Sequence, residues 1–379
     1  MAMKAITLNH KNYPLEWLLD PAIAIDQLSL TFYEKDVLRF CRQWLSGQET
    51  FSLTTSGSTG QPKPISPHRE QMISSARLTG QALGLHAGDK TLVCLSVNYI
   101  AGMMMLVRGF ELDLDLIIVN PSGNPLREFS IDTHFDFSAL VPLQLQQILA
   151  ESPDKQRILD GMKAILIGGA PVSLALKEQL QAITAPIYHT YGMTETVTHI
   201  ALKRLNGPEA NEYFTPLPGV EIGLDQRGCL TIKAAVTNGQ TLYTNDLAEL
   251  NPDGSFKWLG RIDNIINSGG VKVQVEKVEA ALENLLRTWQ HGRLAGRRFV
   301  IGPRPHPRLG QSVVVVLEGQ PISSQDQAKL QLNLQKTLTK YEVPRTFYFL
   351  PVLPETPTGK IDRLACLKKI DSTSPCPVC

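Results

Sequence analysis

The chain has 379 residues, 43% of them hydrophobic, a length and composition that favour two or more globular domains. Thirty-seven basic residues against thirty-six acidic ones leave no excess field of either sign, which argues against nucleic acid or an anionic membrane surface as main partner and favours a small-molecule substrate. The opening MAMKAITLNHKNYPLEW has no apolar core of signal-peptide length, and no stretch approaches the roughly 20 apolar residues of a membrane span, so a cytoplasmic protein is expected.

In chain order, the first marked feature is TTSGSTGQPKP at 54–64, which spends its residues on hydroxyls, glycines, prolines and one lysine. That composition also suits an ordinary turn. Its spacing, Gly57-x-x-Gly60-x-x-Lys63, differs from a Walker loop, yet its ingredients are those of a phosphate cradle: close-approaching backbone N–H groups, donor hydroxyls and one positive charge.

From residue 90 onward, short β-rich runs alternate with longer helical ones. TLVCLS (91–96), DLIIVN (115–120), FSALVP (137–142), KAILIGG (163–169) and APIYHTYG (185–192) read as strands. YIAGMMMLVRGFEL (99–112), LQLQQILAES and VSLALKEQLQAI read as the helices between them. This alternation predicts a mostly parallel sheet with helices on its faces, whose ligands gather beyond the strand carboxyl ends.

The stretch GVEIGLDQRGCLTIKAAVTNGQTLYTNDLAEL then reads as short strands separated by turns, a β-rich annex. After GRIDNIINSGG the pattern changes again. VEKVEAALENLL and QAKLQLNLQKTLTKY (327–341) predict helices, while RRFVIGP, SVVVVLEG and TFYFLP predict strands. The expected class is therefore α/β, with a large domain over 1–262, a small mobile α+β domain over 263–372 and a tail over 373–379. Cys41, Cys94, Cys229 and Cys366 are scattered singly. Cys376 and Cys379 form a terminal CPVC that lacks a second ligand pair at zinc-like spacing, so it reads as tail.

Five segments then agree in order and distance: the 54–64 loop, IGGAP (167–171), HTYGMTET (189–196), YTNDLAEL (243–250) with GRIDNIINSGG (260–270), and PTGKIDR (357–363). Together they resemble the acyl-adenylate-forming superfamily of acyl-CoA ligases, luciferases and peptide-synthetase adenylation domains. The resemblance implies ATP, Mg²⁺ and coenzyme A as partners of a carboxylic acid. The acid attacks the α-phosphate, pyrophosphate leaves, and a thiol then takes the acyl group from acyl-AMP.

Residue by residue, the resemblance places Ser56, Gly57, Ser58, Thr59, Gly60 and Lys63 on the β- and γ-phosphates. Gly168, Gly169 and Ala170 would line the adenine pocket and Tyr191 would stack there, with Gly192 and Met193 completing the motif. Thr194 would touch the α-phosphate, and Glu195 would hold Mg²⁺. Asp246 and Arg261 would fix the ribose, and Lys360 would reach the α-phosphate during adenylation. Asp263 would be the hinge that alternates Lys360 with the thiol-accepting loop, and Ser268, Gly269 and Gly270 would border the pantetheine tunnel.

Three positions depart from the pattern: Asn245 where glycine is common, Val275 where proline is common and Lys277 where glutamate is common. The segment before the phosphate loop is also shorter than in most members. The wording TYGMTETVTHIA resembles the o-succinylbenzoate:CoA ligases of menaquinone and phylloquinone synthesis. A second carboxylate on that substrate calls for a cation in an apolar pocket, and Arg108 is the candidate, with Asn98, Tyr99, Thr198 and His199 as neighbours. Met103, Met104 and Met105 read as core. Other readings are another aryl or fatty acyl ligase, a carrier-protein-loading adenylation enzyme, or a catalytically silent adenylate-binding module.

Overall fold

The computed structural model describes residues 3–54, 64–289, 294, 296–356 and 361–371. Its largest sheet has, among the described residues, nine strands. Across the sheet they run Thr215–Pro216, His199–Arg204, Ile187–Gly192, Ala164–Ile167, Phe137–Leu140, Lys90–Val93, Asp115–Ile118, Ala5–Leu8 and Lys11–Pro14. From Ile187–Gly192 to Ala5–Leu8 every neighbouring pair is parallel; both flanks are antiparallel.

Side-chain alternation explains how this sheet is covered. Val93, Leu116, Ile118, Ala164 and Leu166 face one core, while Leu92, Ile117, Ile165 and Ile167 face the other. The first core takes the helices Phe32–Leu45 and Ile100–Leu112, and the second takes Pro142–Glu151 and Leu174–Leu180. Met103, Met104 and Met105 are buried in the first, as the sequence suggests. The chain leaves Lys90–Val93 for Asp115–Ile118 on one side, then crosses to Phe137–Leu140 on the other. Such a reversal opens a crevice at the strand carboxyl ends.

The first 89 residues contribute what the pattern from residue 90 does not show. Ala5–Leu8 extends the parallel sheet, and Phe32–Leu45 starts at a capping box in which Thr31 and Glu34 satisfy each other's backbone donors. A short antiparallel pair, Leu53–Thr54 with Pro64–Ile65, brackets residues 55–63.

The annex is an antiparallel sheet of Glu221–Leu224, Cys229–Lys233, Leu242–Leu250 and Phe256–Arg261, closed over Ile232, Phe214 and Phe256. Beyond Asp263 a further hydrophobic cluster runs from Ile266 to Phe347. There Gly310–Glu318 pairs with Phe299–His306, Ile266–Ser268 and Thr346–Leu350, covered by helices Val275–Arg287 and Ser324–Leu334. The helix expected over 327–341 thus starts and ends earlier. Ser323 caps it through the Asp326 N–H, and after Leu334 the chain turns so that Leu338 and Val343 enter the core. No helix among the described residues is long and apolar enough to cross a membrane.

Candidate functional site

The strand Ile187–Gly192 ends in the turn Thr194–Thr196 and delivers Tyr191 toward the annex. The Tyr191 hydroxyl donates to Asp246 Oδ2 at 2.7 Å, the Trp258 indole donates to Asp246 Oδ1 at 3.2 Å, and Arg261 stands 3.9 Å from Oδ1. Burial, followed by the Asp246 charge, raises the Tyr191 phenol, which therefore remains a donor. A carboxylate offers about four acceptor positions, so Asp246 keeps capacity for a diol. Phe214 and Phe256 pack against the Tyr191 ring. Trp258 is not expected from the sequence because an indole on the strand after the one that carries Asp246 belongs to no motif.

Gly168 and Gly169 follow directly after Ala164–Ile167, next to the strand that bears Tyr191. His189 pairs with Ile167 across the two strands, and burial, with Lys203 and Lys177 nearby, lowers its pKa to about 4. Met193 N–H donates to Thr196 Oγ1 at 3.0 Å. Glu195 is exposed, and no ion pair engages it among the described residues. No group of three or more potential metal ligands occurs among the described residues either. One free carboxylate suits Mg²⁺, which commonly takes one or two protein oxygens and fills its shell with phosphates and water.

A second cluster lies behind this turn. Arg108, two and a half turns into the buried helix Ile100–Leu112, is 2% exposed. Its Nη2 donates to Thr198 Oγ1 at 3.4 Å, its Nη1 approaches Met105 Sδ at 3.7 Å, and its Nε has no partner. No carboxylate pairs with it among the described residues, and burial pushes its pKa down to about 10. Thr198 Oγ1 also bonds Ser75 Oγ at 2.7 Å. Thr79 donates to the Ser75 carbonyl at 2.9 Å and meets His199 Nε2 at 3.2 Å, which favours the Nε2–H tautomer of a neutral imidazole. Burial and the Arg108 charge hold His199 well below the usual imidazole range. Ser75 and Thr79 are one turn apart on Arg69–Leu83, a stretch whose i, i+4 hydroxyls were the available signal.

Not every expected residue converges. Asn98 bonds Asp36 at 3.1 Å, and Tyr99 is 46% exposed at the N-cap of the helix that carries Arg108 nine residues later. At 1.5 Å per residue that is about 14 Å along the axis, so both lie at the other end from the Arg108 cluster. Ser56, Gly57, Ser58, Thr59, Gly60, Lys63 and Lys360 lie outside the described residues. Ser268 is buried with an unpartnered hydroxyl, and Gly269 and Gly270 form the two-residue turn to Val271–Val273, both at positive φ.

Residues 44–234 match the AMP-binding enzyme family. The chain belongs to that family. An acyl-CoA synthetase (AMP-forming)/AMP-acid ligase II-like protein of Dyadobacter fermentans is 43% identical, with 91% of this chain and 97% of that one covered and a TM-score of 0.59. The 2-succinylbenzoate–CoA ligase of Lactococcus lactis is 27% identical over 329 residues, covering 82% of this chain and 69% of the relative. The o-succinylbenzoate CoA synthetase of Bacillus subtilis, solved with its acyl-adenylate intermediate OSB-AMP, shares the fold at 23% identity and a TM-score of 0.66, covering 83% and 68%.

In this AMP-binding enzyme the three departures have structural partners. Asn245 Nδ2 donates to both Asp263 oxygens at 3.2 Å, and Arg261 donates to Asp263 Oδ2 at 2.7 Å. Arg261 is the leading cause that holds the Asp263 carboxyl below the usual range. Lys277 pairs with Glu342 at 2.6 Å, and Val275 is fully buried in the C-terminal core.

Proposed function

We propose that the protein is an ATP-dependent acid:CoA ligase acting on o-succinylbenzoate. The observation that carries the substrate choice is Arg108, a buried guanidinium with a free Nε and no carboxylate partner among the described residues. A cation left uncompensated in an apolar wall is costly by itself. A ligand carboxylate would offset that cost, and the curated relatives named 2-succinylbenzoate–CoA ligase support a dicarboxylate.

On this reading Arg108, Thr198 and neutral His199 grip the second carboxylate, while the first faces the α-phosphate. Asp246 accepts from the ribose hydroxyls with Arg261 beside it, and Tyr191 lies against adenine beside Gly168, Gly169, Ala170, Gly192 and Met193. Thr194 donates to the α-phosphate. Ser56, Gly57, Ser58, Thr59, Gly60 and Lys63 cradle the outer phosphates. Lys360 offsets charge as the carboxylate oxygen bonds to phosphorus and pyrophosphate departs. Glu195 holds Mg²⁺, which supplies charge neutralisation on the phosphates. The second half-reaction forms the thioester and releases AMP. Catalysis in both steps is positioning and electrostatics.

The two half-reactions need different partners at one site, so the segment 263–372 turns about Asp263 relative to 1–262. Ser268, Gly269 and Gly270 then border the pantetheine arm. A cytoplasmic enzyme is part of the same reading. The test is a coupled assay of purified protein with ATP, Mg²⁺, CoA and a panel of aromatic and aliphatic acids, read as AMP formation. Preference for o-succinylbenzoate supports the assignment; preference for a plain aryl or fatty acid overturns the substrate and keeps the chemistry, and no AMP with any acid leaves a silent module.

A further inference from the structure

Val197, which follows the Thr194–Thr196 turn, has φ +63° and ψ −60°. The other described non-glycine residues at positive φ are Asn9, His10, Asp113 and Asn238, types whose short polar or planar side chains tolerate it. A buried, β-branched residue does not. The Thr198 N–H donates to the Thr196 carbonyl at 2.6 Å, two residues back. Dihedrals and hydrogen bond together define the rare γ-turn with φ near about +75° and ψ near about −65°, a strained conformation.

Several contacts force the bend. The Val197 side chain is 2% exposed in the core that holds Met72 and Met104. Thr196 Oγ1 donates to the Thr198 carbonyl at 2.7 Å while accepting from Met193 N–H at 3.0 Å. The returning chain presses on Gly192: a Cβ there would lie 2.3 Å from the Thr198 carbonyl oxygen and 2.6 Å from His199 Cα. The consequence appears one residue on, where Thr198 Oγ1 reaches both Ser75 and Arg108 Nη2.

We propose that Val197 is a positioning residue whose γ-turn holds Thr198, and through it the Arg108 guanidinium, in the geometry that selects acids bearing a second carboxylate. The inference rests on the assignment of Arg108 to that carboxylate. It also ties the nucleotide end of the motif, Thr194 and Glu195, to the far end of the acid through one rigid turn, since Val197 N–H donates to the Thr194 carbonyl at 3.0 Å.

Two substitutions separate conformation from burial. Val197→Ala keeps the β-carbon that disfavours positive φ but drops the isopropyl anchor, so the turn relaxes and Thr198 moves. Val197→Gly loses more side chain yet accepts positive φ freely. The expected order of kcat/KM for o-succinylbenzoate is wild type, then glycine within about threefold, then alanine lower by at least about tenfold and chiefly through KM. KM for ATP should change less than about twofold in either variant. A merely packing role reverses the order, because glycine removes the larger volume, and lowers activity in parallel with melting temperature. That result, or equal losses for an acid lacking the second carboxylate, overturns the proposal. Should the wild type ignore o-succinylbenzoate, the substrate assignment fails by itself, and the same comparison is made with another acid bearing a second carboxylate that it does adenylate: an alanine defect confined to KM for that acid upholds the positioning role, and its absence, or use only of acids without a second carboxylate, overturns it.

Discussion

Replacing Arg108 with methionine tests the substrate assignment through two opposite effects. Burial pushes the guanidinium pKa down to about 10, which corresponds to a loss of solvation on the order of 3 kcal/mol for the buried cation. Its Nε is unpartnered, and its polar contacts are one hydroxyl at 3.4 Å and one thioether at 3.7 Å, so the protein without substrate recovers little of that cost. Methionine fills similar space beside Met105 and carries no charge. Arg108→Met should therefore raise stability in the absence of substrate by about 1–3 kcal/mol, read from denaturant midpoints. It should also lower kcat/KM for o-succinylbenzoate, since truncating one partner of a desolvated charge pair costs about 2–5 kcal/mol, or roughly 30-fold to several-thousand-fold. A 2-alkylbenzoate without the second carboxylate should lose less than about threefold. Lower stability together with equal losses on both acids would refute the reasoning and make Arg108 scaffolding, leaving His199 as the next candidate.

Lys360→Ala should slow acyl-AMP formation by about 100-fold or more, the effect of removing roughly 3 kcal/mol of preorganised charge stabilisation, while thioester formation from supplied acyl-AMP survives; equal loss of both steps would exclude the assigned role. Asp263→Pro fixes φ near about −65° and removes the carboxylate held by Arg261 and Asn245, so one half-reaction should persist as the other fails, and matched losses would indicate misfolding. His189 has a pKa of about 4 in the folded protein against an ordinary 6.5, so the unfolded chain binds the extra proton first and stability is lost as pH falls from 6.5 toward 4. The loss attributable to it is about 3 kcal/mol, and His189→Gln should flatten the pH dependence of the unfolding free energy over that interval; an unchanged slope would mean the ring is solvated.

What could be read from the chain was local. Ala164–Ile167 is apolar at every position because a central parallel strand is covered on both faces, and Val275–Arg287 is amphipathic because it covers one face of the C-terminal sheet. The segments at 167–171, 189–196 and 243–250 were legible for a related reason: the proposed approach of their backbone to a nucleotide would restrict residue type over a few consecutive positions. The first 89 residues were less legible, since a four-residue strand such as Ala5–Leu8 becomes distinct only when paired with Asp115–Ile118.

The tertiary structure decided which of these residues meet. Tyr191 and Asp246 are 55 residues apart and share a hydrogen bond; Arg108 and Thr198 are 90 apart and do the same. Asn98 and Tyr99, close to Arg108 in sequence, lie at the opposite end of its helix, because a helix converts nearness along the chain into distance along an axis. Trp258, Ser75 and Thr79 entered the site only through the packing of separate elements. Residue type and spacing thus determined the family and its nucleotide chemistry, which depend on short backbone motifs. The surroundings of Arg108, buried and without a counter-charge among the described residues, depend on long-range packing and were set by the fold.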